Sequence, residues 1–211
     1  RTEPVVSSGS IGSPGFCDDS QAGAAAAVSL CLGLFCFVRR YRWRRRGKGW
    51  PLITFFSIPK PFTGDIARIQ QNAIRSWARS VPGCEVILCG KEHGVAEMAA
   101  EIQARHLPDI ACNELGTPII SSAFEAVQHS ARQDTLCYLN ADIILLPDFP
   151  AAVTRIALRW YLAVGQRWDL DLHTILNLRD PAWAEALRCD VEARGHPHGP
   201  EGIEYFGQAL F

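Results

Sequence analysis

A chain of 211 residues with 48% hydrophobic side chains has room for one ordinary globular domain and an appendage. Its net charge of −1 sums two unlike parts: residues 1–48 carry eight basic and three acidic side chains, net +5, and residues 49–211 carry thirteen basic and nineteen acidic, net −6. An acidic main part repels a phosphate backbone, which argues against nucleic acid as its partner and against wide adhesion to anionic lipid.

Residues 1–21 are rich in Ser, Gly and Pro, show no period, and read as disordered. Residues 22–38 (AGAAAAVSLCLGLFCFV) are uncharged. As a helix at about 1.5 Å per residue they span roughly 25 Å, slightly short of a bilayer core of about 30 Å. The basic segment 39–49 follows, and Asp18 and Asp19 lie on the other side. The expectation is a single-pass transmembrane anchor with its main domain in the cytoplasm. Positive charge after the apolar run does not suit a cleaved signal peptide. The alternative is a non-native or unstructured leader on a soluble cytoplasmic domain. Cys17, Cys31, Cys36, Cys84, Cys89, Cys112, Cys137 and Cys189 form no C-x-x-C pair and have no histidine at zinc-like spacing. They read as reduced core thiols, which fits a cytosolic-facing domain.

Residues 50–211 alternate strand and helix signals. The apolar, β-branched and aromatic run 52–57 predicts a buried strand. Asp65 is placed to cap a helix with Ile66, Ile69, Ala73, Ile74 and Trp77 on its apolar face, ending near Pro82-Gly83. A strand at 85–89, a helix over 95–105, an extended piece near Ile110 and a loop at 113–118 come next. A helix to about 131 and a buried strand at 135–139 follow. Asp148 and Pro150 suit the start of a short helix. A strand at 161–164 and a helix from about 181 to 193 that ends at Gly195 come last. This order implies a three-layer α/β fold, a mostly parallel sheet with helices on both faces.

In such sheets ligands bind beyond the carboxyl ends of the strands. The residues there are polar: Ser57 to Lys60, Gly90 to Glu92, Asn113 to Thr117, Asn140 to Asp142, and Arg167 to Asp171. Asn140 and Asp142 flank a small residue directly after the most apolar strand, and strand spacing would put them on one face. Mg2+ or Mn2+ is commonly held by one or two protein oxygens, with phosphate and water supplying the rest. Asp142 is therefore the candidate metal ligand, and Asn140 is placed to contribute its carbonyl oxygen or to hold a water or a ribose hydroxyl. Asn and Asp are also ordinary turn residues. Arg167, Trp168 and Asp169 form a candidate acceptor wall, with the Trp168 ring to stack and Asp169 to bond hydroxyls. His196 and His198, among Pro and Gly, read as a solvated loop. No G-x-G-x-x-G, G-x-x-x-x-G-K or G-x-S-x-G is present, which removes dehydrogenase, P-loop and hydrolase-elbow readings.

The strings CYLNADIILLPDF and VGQRWDLDL, with ITFFSIPKPF, IQQNAIRSW and NELGTP, resemble a group of bacterial and plant glycosyltransferase-like proteins. That group has the nucleotide-diphospho-sugar transferase (GT-A type) fold. The resemblance implies that Asn140-Ala141-Asp142 stands where an Asp-x-Asp motif binds metal and the donor diphosphate, with Asn140 in the first acidic place. It implies that Ser57, Pro59, Lys60 and Glu92 lie near the nucleoside, and Asn113, Glu114 and Thr117 near the ribose or donor sugar. The segment 202–206 is similar to a G-x-D-Y-F segment of the group, which makes Glu204 a candidate general base and, with Asp169, a candidate catalytic carboxylate. Residues 208–211 depart from the group, so domain 50–211 is expected to be truncated at its C-terminus.

The implied function is transfer of a sugar from a nucleoside-diphosphate-sugar donor to an acceptor hydroxyl of a glycan, lipid or protein, assisted by a divalent metal. A catalytically inactive nucleotide-sugar-binding module on a membrane stalk is the alternative that Asn140 and Glu204 favour. A nucleotidyltransferase would show a Gly-rich basic loop after the first strand, and Ser57 to Pro61 is not one.

Overall fold

The computed structural model describes residues 26–29, 53–133, 135–156, 161–199 and 205–209. Six strands form the larger sheet, in the order β4 (Arg105–Leu107), β3 (Glu85–Cys89), β2 (Ile53–Ser57), β5 (Thr135–Leu139), β10 (Tyr205–Ala209) and β7 (Leu162–Gly165). The first four run parallel, and β10 is antiparallel to both of its neighbours. A smaller sheet has the order β6 (Ile143–Leu145), β1 (Ala26–Ser29), β8 (Trp168–Leu170), β9 (His196–Pro197). The helices are α1 (Gly64–Ser80), α2 (Val95–Glu101), α3 (Ile120–Ser130), α4 (Phe149–Thr154) and α5 (Trp183–Arg194).

Strand alternation divides the core between the two faces of the larger sheet. Phe55, Leu88, Cys137 and Leu139 pack with Trp77 of α1, Met98 of α2 and Phe149 of α4. Phe56, Ile87, Leu136 and Tyr138 point the other way, onto Ala123 and Val127 of α3. The α/β layering expected from the sequence is therefore present, with β10 as the antiparallel exception. A third core sets Ile69 and Ala73 of α1 against Ile144, Leu170 and Leu172, and against Trp183, Leu187 and Val191 of α5. Each fully buried large apolar side chain contributes about 1.5–3 kcal/mol.

Helix α1 is the hub because it is buried on two sides and carries polar groups matched to backbone. Trp77 donates its indole N–H to Ile143 O at 2.8 Å, and Ser80 Oγ donates to Leu145 O at 2.6 Å. Leu145 N in turn donates to Ser76 Oγ at 2.9 Å. These contacts meet buried backbone groups of β6 that strand pairing with β1 does not satisfy.

Several expectations are corrected. Asp65 does not cap α1. Thr63 holds the extended N-cap position, and Asp65 pairs with Arg68 at 2.6 Å. Ile66 is exposed, while Gln70 and Asn72, polar on paper, are buried. Helix α2 stops at Glu101, because Gln103 turns to φ 58° and residues 105–107 then pair with β3. Local helix propensity loses there to an open sheet edge. Residues 205–209, for which the sequence pattern gives no strand, enter the larger sheet as β10. Of the described cysteines, Cys89 and Cys137 are buried, but Cys112 and Cys189 are exposed and not core. Burial pushes the thiols of Cys84 and Cys89 up to about 12. Cys17, Cys31 and Cys36 lie outside the described residues.

Of the expected anchor, Ala26–Ser29 are described, and they form β1 between β6 and β8. Strand pairing and a membrane-spanning helix are mutually exclusive for these four residues. Among the described residues no helix is long and apolar enough to cross a membrane. The rest of 22–38, and the segments 1–21 and 39–49, lie outside the described residues.

Candidate functional site

The parallel strands β3, β2 and β5 end side by side, and the loops that follow them form one rim. Ser57, the last residue of β2, is fully buried, and no described group hydrogen-bonds its hydroxyl. Pro59 is buried and the Lys60 side chain is exposed. The Lys60 backbone is clamped by the buried Gln70: its N–H donates to Gln70 Oε1 at 2.7 Å, and its carbonyl accepts from Gln70 Nε2 at 2.8 Å. Phe62 N–H donates to His93 O at 2.8 Å, which ties this loop to the one after β3. Gly94 makes that approach possible: its φ is 85°, and a Cβ would lie 2.6 Å from Phe62 Cβ. Glu92 is exposed on the same loop.

Asn113, Glu114 and Thr117 are exposed on a separate loop, closed by the Cys112–Pro118 bridge. The Asn113 side-chain oxygen accepts from Leu115 N at 3.0 Å and Thr117 N at 2.9 Å. That oxygen builds the loop, as turn asparagines do.

Asn140 and Asp142 are half-buried beyond the end of β5, with Ala141 buried between them. The chain turns there, with Ile143 N donating to Asn140 O at 3.1 Å. Turn geometry therefore relates the two side chains, and strand alternation does not. Glu204 lies outside the described residues. Its successor Tyr205 pairs with Leu139, the residue just before Asn140.

The third group gathers on the smaller sheet. Trp168 packs toward the core of Leu170 and α5, so part of its ring is committed to packing. Asp169 accepts from Arg167 Nε at 2.8 Å through one oxygen and from His198 Nδ1 at 2.7 Å through the other. His198 N donates to Arg167 O at 3.0 Å, continuing the pairing of β8 with β9. Burial alone would raise the Asp169 carboxyl. Hydrogen bonds from His198 and Arg167, with the charge of Arg167, outweigh it and hold the group below the usual carboxylate range. His198 is thus half-buried and tied to Asp169, unlike the solvated loop expected for it. The signal available was the His-x-His spacing, which says nothing of the strand it pairs with.

No protein-family model matches the chain, and no curated protein matches it by sequence. Among solved structures it is similar to glucosyl-3-phosphoglycerate synthase from Mycobacterium tuberculosis, a structure in complex with Mg2+ and uridine diphosphate. The TM-score is 0.35 and the identity 14%, over 55% of this chain and 46% of that one. The chain spans less than half of that protein, and a likeness at this level assigns no residue a role.

Proposed function

We propose that the chain is a glycosyltransferase of the nucleotide-diphospho-sugar transferase (GT-A type) fold, moving a sugar from a nucleoside-diphosphate-sugar to an acceptor hydroxyl. The observation that carries this reading is the register of β10 on β5. Tyr205 stands against Leu139, so Tyr205-Phe206, the end of the second segment that resembles the family, pairs with the strand that delivers Asn140 and Asp142. The end of that strand lies in the middle of the sheet, where open α/β folds bind their ligands.

In this reading the pinned loop of Ser57, Pro59 and Lys60, with Glu92, faces the nucleoside, and Lys60 presents its charge to the donor. Asn113 shapes the loop that offers Glu114 and Thr117 to the ribose or sugar. Asn140 and Asp142 face the diphosphate, and Arg167 and Trp168 the sugar. Among the described residues no group of three or more His, Cys, Asp or Glu could hold a metal ion. The cation of this reading is one that arrives with the diphosphate and needs only one or two protein oxygens. The Asp142 carboxylate and the Asn140 amide oxygen supply those. When bound, Mn2+ or Mg2+ would offset the charge growing on the departing diphosphate. The acceptor hydroxyl must also lose a proton, and Glu204 and Asp169 are the candidate carboxylates that the sequence offers for that task.

A catalytically inactive nucleotide-sugar-binding module is the second reading, favoured by the amide of Asn140 in an acidic place. The test is a panel of nucleotide-sugars by thermal shift, with and without Mn2+. Stabilisation by one nucleotide family supports donor binding, and nucleoside diphosphate release then separates enzyme from module. No stabilisation by any donor would sink both readings.

A further inference from the structure

Asp169 has both carboxylate oxygens engaged, one by Arg167 and the other by His198. Its proton affinity is held down by those partners. Such a group is poorly suited to take a proton from a hydroxyl directly and well suited to orient an imidazole. At 2.7 Å from a carboxylate oxygen, His198 Nδ1 carries the hydrogen. Nε2 is then the acceptor atom of the neutral ring, on a side chain that is half-buried. The backbone bond from His198 N to Arg167 O holds the residue from a further side, while Arg167 Nη2, 3.2 Å from the same Nδ1, can only donate and makes no hydrogen bond to it in this tautomer.

The smaller sheet relates this pair to the donor end. Asp169 is in register with Ala27, and Ala27 with Ile143, the residue after Asp142. Two strand spacings of about 4.8 Å put Asp169 roughly 10 Å from Ile143 along the sheet. That spacing is a backbone one across β1, and it puts the Asp169–His198 pair on the same sheet as the strand that leaves Asp142.

Resting on the transferase reading above, we propose that His198 is the general base that deprotonates the acceptor hydroxyl, with Asp169 as its positioning residue. Nε2 takes the acceptor proton as the acceptor oxygen forms its bond to the anomeric carbon. The bond from that carbon to the diphosphate breaks, and its electron pair leaves with the nucleoside diphosphate. The imidazolium, held by the Asp169 carboxylate, then returns the proton to solvent.

The test uses the full chain with UDP- and GDP-sugars, Mn2+ and glycerol as the hydroxyl acceptor. It reads donor affinity by calorimetry, UDP or GDP release, and a melting curve. His198→Gln and His198→Ala should bind donor as the wild type does and lose about 10²- to 10⁴-fold in turnover. Added imidazole should restore part of it in His198→Ala. Asp169→Asn should lose turnover too, since the amide no longer enforces the tautomer, and imidazole should not restore it. Unchanged turnover in both His198 variants overturns the proposal and leaves the transferase reading standing. Weakened donor binding in both, or unfolding of both, overturns it by making His198 a donor contact or a strut of the β8–β9 pairing. A wild type that binds donor without turnover also overturns it, and one that binds no donor overturns the transferase reading itself.

Discussion

Trp77 donates its indole N–H to the carbonyl oxygen of Ile143 at 2.8 Å, and Ile143 is the residue that follows Asp142. Both partners are fully buried. Helix α1 thereby sets the height at which the chain leaves the turn of Asn140, Ala141 and Asp142.

Trp77→Phe keeps an aromatic ring against Phe55 and removes the donor. The Ile143 carbonyl is left buried and unpaired, which costs about 1–3 kcal/mol. A denaturant melt should register that loss. Donor affinity should fall as well, because the turn loses its support.

Asp142→Ala is expected to abolish Mn2+-dependent donor binding while the melting curve of the ligand-free chain stays near that of the wild type. Asn140→Asp should keep binding and increase its dependence on Mn2+, since a second carboxylate joins the site. Calorimetry at fixed Mn2+ reads both. Donor affinity retained in Asp142→Ala removes Asp142 from the site, and unfolding of that variant makes it a structural turn residue.

Glu204→Gln keeps shape and removes a carboxylate. With His198 as base, this variant should lose less than tenfold in turnover at unchanged donor affinity. A loss as deep as that of His198→Gln would place the proton transfer on Glu204.

Glu85 predicts an acid limb of stability at the far end of the sheet. Its carboxylate accepts from Thr54 Oγ1 at 2.8 Å, Arg105 Nη1 at 3.0 Å and Arg132 N at 2.8 Å. Burial acts to raise its pKa, and these donors outweigh burial and hold it below the ordinary 4.5. A carboxyl with a depressed folded pKa contributes stability above its unfolded value and loses it as pH falls through the folded one. Stability should therefore decline below about pH 4.5. Glu85→Gln should flatten that decline and lower stability at neutral pH, as a pH series of urea melts would show.

Removing residues 1–49 should lower the melting temperature, because β1 fills the gap between β6 and β8. The anchor reading expects the opposite pair of results: a shorter chain as stable as the full one, and a full chain that resists alkaline extraction from membranes. One melt and one extraction separate the two uses of Ala26–Ser29.

The apolar runs of β2, β3 and β5 and the helical spacing of Ile69, Ala73 and Trp77 are local patterns, and they determined the α/β layering and the rim where polar loops gather. The turn at Asn140 to Asp142 was legible for the same reason, as polar side chains directly after a buried strand. Other features depend on partners far away in the chain. β4, β8 and β9 have two or three residues each, too few to display a period, so only an available sheet edge decides that they are strands. Gln70 and Asn72 look like solvent-facing amides until Lys60 and the 174–176 segment supply the backbone groups that let them be buried. Asp169 and His198 are 29 residues apart, and nothing local joins them. Their contact follows from the antiparallel pairing of β8 and β9, since hydrophobic pattern selects which face of a segment is buried but leaves open which distant strand it will meet.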